Sequence, residues 1–290
     1  MPKSFHLEYD PEYPKGSVIG DAVAGTPLFA PRGEYAIGVR TIEIVNHDQV
    51  DLKKVSENDP CPRYDRKLSV EVWYPAEVEE GTRQLSFYTD YIGGGGQQDF
   101  LEAYDYPGRA VRDAEPHAGK EPYPVLVVSH GYPGSRYLLS HLGENLATKG
   151  YVVFAIAHTD TTYTDFDPEI SIISAMMYRT LDQRYMITAL SELNREGFLK
   201  GLLDIEKVGV LGYSFGGFGL LRTLGVTLKE STLAAFPRYK GMLEEEAGYT
   251  GDKRVKAAVL FAPFGADYFC HDSLKNITAP TLWIQGNEDT

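Results

Sequence analysis

The sequence predicts an α/β fold: a mostly parallel sheet with helices on both faces and antiparallel strands on its N-terminal side. Three observations carry this. Residues 124–129, 151–157 and 255–261 are short, nearly unbroken apolar runs, the mark of strands buried on both faces. Helical patterns separate such runs, which calls for crossover connections and a parallel sheet. Residues 66–76 alternate instead, with Leu68, Val70, Val72 and Tyr74 on one face and Lys67, Ser69, Glu71 and Trp73 on the other, as in an antiparallel pair.

Composition sets the outer bounds. A chain of 290 residues, 43% hydrophobic and 24% charged, suits a globular α/β domain. A net charge of -13 argues against a nucleic-acid or anionic-membrane partner, both of which reward a basic face. Cys61 and Cys270 stand too far apart to suggest a disulfide framework or a metal cluster. The first residues have neither the basic nor the apolar part of a signal peptide, and no stretch reaches the length of a membrane-spanning helix. The expectation is a cytoplasmic protein, or a secreted one if a leader has been removed.

In chain order, residues 1–34 are rich in Pro, Gly and acidic residues and read as an irregular arm, with residues 35–290 as one domain. Residues 35–50 form a first strand carrying Val39, Ile42 and Ile44, and residues 51–64, with Pro60 and Pro62, a loop. Residues 77–122 are polar and tyrosine-rich, with glycines at 93–96, and are expected as a long flexible loop shaping a binding site. The glycine run lacks the Lys-Ser/Thr ending and the feeding strand of a phosphate-binding loop. Residues 135–150 read as a helix with Leu138, Leu139, Leu142 and Leu146 on one side and a stop at Gly150. A long amphipathic helix follows over 172–196, then strands over 208–211 and, last, 280–285. Residues 227–252 hold two short amphipathic patterns around Phe236 and Pro237, either a lid or a surface excursion.

The chemistry concentrates in residues 207–225. A strand runs into Gly212-Tyr213-Ser214-Phe215-Gly216-Gly217, and an apolar helix follows. Glycines permit a sharp turn that lifts Ser214 above the sheet and beside a helix N-terminus, where developing negative charge is stabilised. A serine that merely caps a helix needs no such glycines. A serine nucleophile requires a base, an orienting acid and an oxyanion hole. The hole is expected from the backbone N–H of Phe215 and that of Tyr132 in the His130-Gly131-Tyr132 turn. His130 is expected to hold that turn rather than to act as the base.

These residues resemble the α/β-hydrolase family, and within it the branch of platelet-activating-factor acetylhydrolases and dienelactone-hydrolase-like esterases. The likeness rests on residues 66–76, Ser129-His130-Gly131, the glycine-flanked Ser214, Arg179-x-x-Asp182 and the ending at 280–289. It implies a serine carboxylic-ester hydrolase acting on a small-molecule ester through an acyl-enzyme on Ser214, with no cofactor and no metal. It gives Arg179 and Asp182 structural roles. It also implies an acid after a late strand: Asp289 fits, Asp267 is the weaker alternative, and Glu288 is expected in solvent. The family's histidine follows the acid in chain order. Of seven histidines only His271 lies late, and it precedes Asp289, so the base is expected beyond Thr290, together with a further strand and helix. Two other readings are a non-catalytic binding protein on a degenerate hydrolase fold and a serine peptidase or amidase. Acyl length and oligomeric state are not legible.

Overall fold

In the computed structural model, which describes residues 18, 21, 27–82, 84–93, 101–239, 242–243 and 249–288, the apolar runs lie inside a nine-stranded sheet. The strands are β1 (Ile37–Val50), β2 (Arg63–Glu77), β3 (Ser86–Ile92), β4 (Glu102–Gly108), β5 (Val111–Arg112), β6 (Glu115–Pro116), β7 (Tyr123–Ser129), β8 (Val152–Ala157), β9 (Leu203–Tyr213), β10 (Val255–Phe261) and β11 (Thr281–Ile284). The helices are α1 (Ser140–Ala147), α2 (Ser171–Arg195), α3 (Phe215–Thr223) and the short α4 (Glu230–Ala234). The main sheet runs β11-β10-β9-β7-β8-β2-β1-β5, with β6 paired to β2. Strands β8, β7, β9, β10 and β11 are mutually parallel, and β2 is antiparallel to both β8 and β1.

The continuous apolar runs reflect cover on both faces. Val125, Val127, Phe154 and Ile156 join Leu68, Val70, Val72 and Tyr74 in one core beneath α2 and α3. Val128, Val153 and Ala155 join Trp73, Ile37 and Val39 in a second core, against which Leu142 and Leu146 of α1 pack. The alternation along β2 sends Leu68, Val70, Val72 and Tyr74 into the larger core, while its other face passes from exposed Lys67 through half-buried Ser69 to buried Glu71 and Trp73. The helix expected from residue 135 starts at Ser140, because residues 135–139 turn out of the β7 end first.

The largest departure from expectation is residues 77–122. Their described residues form no open loop: β3 and β4 pair antiparallel, from Ser86 opposite Gly108 to Ile92 opposite Glu102, and β5 and β6 join the main sheet. Of the glycine run, Gly93 is described and residues 94–96 lie outside the described residues. The inward positions of β3 are Ser86, Tyr88 and Asp90, so its alternation is one of burial and not of hydrophobicity. Tyr88 anchors the hairpin. Its hydroxyl accepts the Trp73 indole N–H at 2.8 Å and donates to Glu144 on α1 at 2.7 Å. Glu144, buried, also takes the Arg109 backbone N–H at 2.9 Å and Arg32 of the N-terminal arm at 3.0 Å.

Part of the 227–252 segment lies outside the described residues; what is described puts Leu233 and Leu243 into the larger core. Among the described residues no helix is long and apolar enough to cross a membrane. Replacing Tyr88 with Phe removes the only acceptor shown for a buried indole N–H. Tyr88→Phe is expected to lower unfolding free energy by about 1–3 kcal/mol, read as a lower urea midpoint at unchanged m-value.

Candidate active site

Strand β9 ends at Tyr213 and α3 begins at Phe215, so the reversal falls on Ser214 alone. Its backbone sits at φ 52°, ψ -116°, a left-handed conformation that costs a serine roughly 1–3 kcal/mol. Contacts from outside the turn hold it there. The Ser214 N–H donates to the Phe261 carbonyl at 2.9 Å, and its own carbonyl accepts the Phe264 N–H at 3.0 Å. The flanking glycines are required by space: a Cβ on Gly216 would fall 2.1 Å from the Ser129 carbonyl oxygen, and one on Gly212 would fall 2.5 Å from that of Gly216.

Because β7 lies next to β9, the turn after Ser129 meets this elbow. A Cβ on Gly131 would stand 3.1 Å from the Tyr213 ring and 3.4 Å from Ser214 Cβ. Phe215 is the first residue of its helix, so its N–H has no acceptor within the helix. The Tyr132 N–H has no partner among the described residues. The Tyr132 ring is fixed against Phe215, centroids 5.4 Å apart, and its hydroxyl meets that of Ser171 at 2.5 Å. Two unengaged backbone donors therefore flank Ser214, the arrangement that stabilises an oxyanion.

A buried polar network sets the position of that turn. Arg179 on α2 donates to the carbonyls of His130 at 3.0 Å and Gly131 at 2.8 Å. His130 Nε2 accepts the His158 N–H at 3.2 Å, which leaves the ring proton on Nδ1, aimed at the Gly131 carbonyl at 2.7 Å. His158 in turn donates from Nδ1 to Asp182 at 2.9 Å and accepts the Ser129 hydroxyl on Nε2 at 2.8 Å. Arg66 closes the chain with a two-pronged contact to Asp182 at 2.9 and 3.1 Å. Ser129, His158 and Asp182 have the connectivity of a hydrolytic triad, yet each is at most 1% exposed, so no substrate reaches them. Burial pushes the His158 pKa down to about 3 and that of His130 well below the usual imidazole range. Burial alone would raise the Asp182 pKa, but Arg66 and His158 outweigh it and hold it below the ordinary carboxylate value.

Comparison with known proteins agrees with this geometry. Residues 28–167 match the family model of platelet-activating factor acetylhydrolase, isoform II, and residues 114–238 match that of PET hydrolase-like proteins. The fold is that of the α/β-hydrolases. A cutinase (est2) of Thermobifida alba is 29% identical over 168 residues, 58% of this chain and 42% of the cutinase. A platelet-activating factor acetylhydrolase of Cavia porcellus is 28% identical over 140 residues, 36% of this chain and 32% of its own. The chain thus spans less than half the length of the curated relatives it matches. A solved ferulic acid esterase of Streptomyces cinnamoneus aligns with a TM-score of 0.47 at 19% identity, over 86% of this chain and 73% of that one.

The site residues expected from the sequence divide into groups. Ser214, Phe215 and Tyr132 are brought together. Asp289 lies outside the described residues, and Glu288 is exposed. His271 opens the 3₁₀ turn His271–Asn276 and Asp267 lies in the turn Ala266–Tyr268; both are exposed. No described histidine hydrogen-bonds Ser214. A feature that sequence reasoning missed is an aromatic shelf beside the serine, where Phe215 stacks on Phe264 at 4.7 Å and Phe264 meets Tyr268 at 5.7 Å. Its signal was the cluster Phe264, Tyr268 and Phe269 in the loop after β10.

Two outcomes follow from the packing and the buried network. Gly131→Ala is expected to fold but to shift the turn that carries the Tyr132 N–H by tenths of an ångström and cut the turnover proposed below by roughly 10²-fold, whereas Gly216→Ala, facing backbone, is expected to fold poorly. Activity assays paired with thermal melts separate the two. Below pH ~6.5 the unfolded chain protonates two histidines that the folded protein keeps neutral, so stability falls with falling pH toward about 3. Asp182, with its folded value depressed, adds to this: its contribution is present above the unfolded value near ~4 and is lost below it. The folding equilibrium should weaken by up to ~10-fold per pH unit for each histidine, and a flat melting temperature from pH 7 to 5 would contradict this account.

Proposed function

We propose that this chain is a serine carboxylic-ester hydrolase that works through an acyl-enzyme on Ser214. The observation that carries the reading is a strained, partly exposed Ser214 flanked by two unengaged backbone donors, Tyr132 and Phe215. Ser214 Oγ gives its proton to a base and bonds to the carbonyl carbon, while the two N–H groups hold the oxyanion. Collapse of the tetrahedral intermediate breaks the carbon–oxygen bond, and the alcohol leaves with the proton from the base. Water then repeats the sequence on the acyl-enzyme and releases the acid. None of these steps calls for a metal or an organic cofactor. Asp289 is the orienting acid in this reading, and the base is a histidine from outside the described residues.

The names of the relatives, cutinases and acetylhydrolases, favour an ester over an amide as the bond cleaved. A binding protein on the same fold is the second reading, and one observation favours it: no described histidine hydrogen-bonds Ser214. A fluorophosphonate probe decides between them. An esterase is labelled at Ser214, and Ser214→Ala abolishes labelling and lowers aryl-ester kcat by about 10⁴–10⁶-fold. An unlabelled wild-type protein would establish the binder instead. Asp289→Asn is expected to lower kcat by roughly 10⁴-fold if that carboxylate orients the base.

A further inference from the structure

Two peptide groups carry the N–H donors beside Ser214: Gly131–Tyr132 and Ser214–Phe215. Both are trans, so each carbonyl points away from the N–H of its own peptide. A donor on that carbonyl acts on the N–H from behind, because drawing electron density onto the oxygen leaves the N–H more positive and a stronger donor. Each of the two carbonyls accepts two hydrogen bonds. That of Ser214 takes the N–H groups of Phe218 and Phe264, both at 3.0 Å. That of Gly131 takes Arg179 Nη2 at 2.8 Å and His130 Nδ1 at 2.7 Å. The Ser214–Phe215 peptide also opens α3, whose dipole adds positive potential at Phe215. The Gly131–Tyr132 peptide opens no helix, and the positive charge behind it is that of Arg179.

Stability alone does not account for this arginine. Arg179 is fully buried, and the neighbouring carboxylates of Asp182 and Asp160 are turned to Arg66. Among the described residues Arg179 forms no ion pair, and it directs its donors at the carbonyls of His130 and Gly131. Its Nε–H is buried with no partner among the described residues. An orphaned buried donor costs about 1–3 kcal/mol, and a buried charge without a direct counter-ion costs more. A neutral donor would satisfy the same two carbonyls. Burial pulls the Arg179 pKa down to about 9 and Asp182 opposes the fall, so the group is a cation at neutral pH.

We propose that Arg179 is a positioning residue for the reaction at Ser214: its charge, carried through the Gly131 carbonyl, polarises the Tyr132 N–H and strengthens one of the two oxyanion donors. The proposal rests on the esterase reading given above. The gain is confined to the state in which negative charge has formed at the N–H, so it favours the transition state over the bound ester. Cooperative strengthening is worth ~10–30% per bond, and loss of a whole oxyanion donor costs ~10²–10³-fold in turnover, so losing the charge alone is expected to cost ~10-fold.

The test sets Arg179→Lys, which keeps a cation, against Arg179→Gln, which keeps only a neutral donor. One probe is an aryl trifluoromethyl ketone: its carbonyl carbon bonds to Ser214 Oγ, the hydroxyl proton passes to the base, and the ketone oxygen becomes an oxyanion. The other is ethyl benzoate, bound by proteins that also carry Ser214→Ala, which reports binding without an oxyanion. Arg179→Gln is expected to weaken the ketone ~10-fold or more and Arg179→Lys by under ~3-fold, with ethyl benzoate unchanged in both. Aryl-ester kcat should follow the ketone at unchanged KM. A merely structural role would lower the melting temperature of both variants and would not separate ketone from ester. If neither variant folds, wild-type protein labelled with ¹³C at glycine carbonyls and ¹⁵N at tyrosine amides carries the test by NMR. It resolves the four Gly–Tyr peptides, those ending at Tyr132, Tyr151, Tyr213 and Tyr249, and Gly131→Ala identifies the first. The Gly131 carbonyl carbon is expected furthest downfield of the four. The proposal is overturned if the glutamine variant binds the ketone as tightly as the lysine variant, if ketone and ester weaken by the same factor, or if the Gly131 carbon is not furthest downfield. A wild-type serine that no fluorophosphonate labels, with the Gly131 carbon furthest downfield, would fail the esterase reading alone. A labelled serine with equal ketone affinity in the two variants would fail the Arg179 proposal alone.

Discussion

The carboxylate of Asp182 is the constraint on which the rest of this structure depends. It is wholly buried and joins three strands to one helix: Arg66 of β2 directly, the residue after β8 through His158, and β7 through the Ser129 hydroxyl. Removing one member of such a pair leaves an uncompensated charge in the core, which typically costs 3–5 kcal/mol. The strand ends cannot shift independently of α2. Arg179, one turn earlier on that helix, extends the same control to the carbonyls of His130 and Gly131 in the turn after β7.

The same network explains why two histidines close to the serine serve no chemistry there. His130 and His158 are held neutral in fixed tautomers by backbone and carboxylate partners, and their role is to set the height and tilt of the turn that carries Tyr132. Ser129 stands at the end of the strand beside the elbow and is spent on His158. A buried triad-like chain lies behind the turn, and the partly exposed Ser214 stands in front of it. What distinguishes the two is access and backbone strain, not residue type.

Much of the framework was legible because burial on both faces leaves an unmistakable mark. The runs at β7, β8 and β10, the alternation of β2 and the glycine-flanked Ser214 all follow from local sterics and hydrophobic cover. The β3–β4 hairpin was not legible, because Ser86, Tyr88 and Asp90 point inward and are satisfied by partners far along the chain. The start of α1 was read too early because Leu138 and Leu139 continue the apolar pattern through a turn. The aromatic shelf escaped because Phe264 and Tyr268 meet Phe215 only once β10 lies beside β9. His158 did leave a trace, a lone histidine closing an otherwise apolar strand, and Arg179-x-x-Asp182 left another. Asp289 is proposed from the sequence pattern alone, and a base for Ser214 is given by neither the pattern nor the described geometry.

The elbow has one more consequence. Its short motif is contiguous in sequence, yet nothing within the motif holds the serine in its left-handed conformation. The hydrogen bonds that reach its backbone from beyond its own helix come from Phe261 and Phe264, and the space that only glycine can fill at Gly216 is bounded by Ser129 on another strand. The conformation of Ser214 is thus a property of three strands lying side by side. A shorter piece of the chain carrying the whole Gly-Tyr-Ser-Phe-Gly sequence, but ending before β10, would possess the motif and lack the elbow.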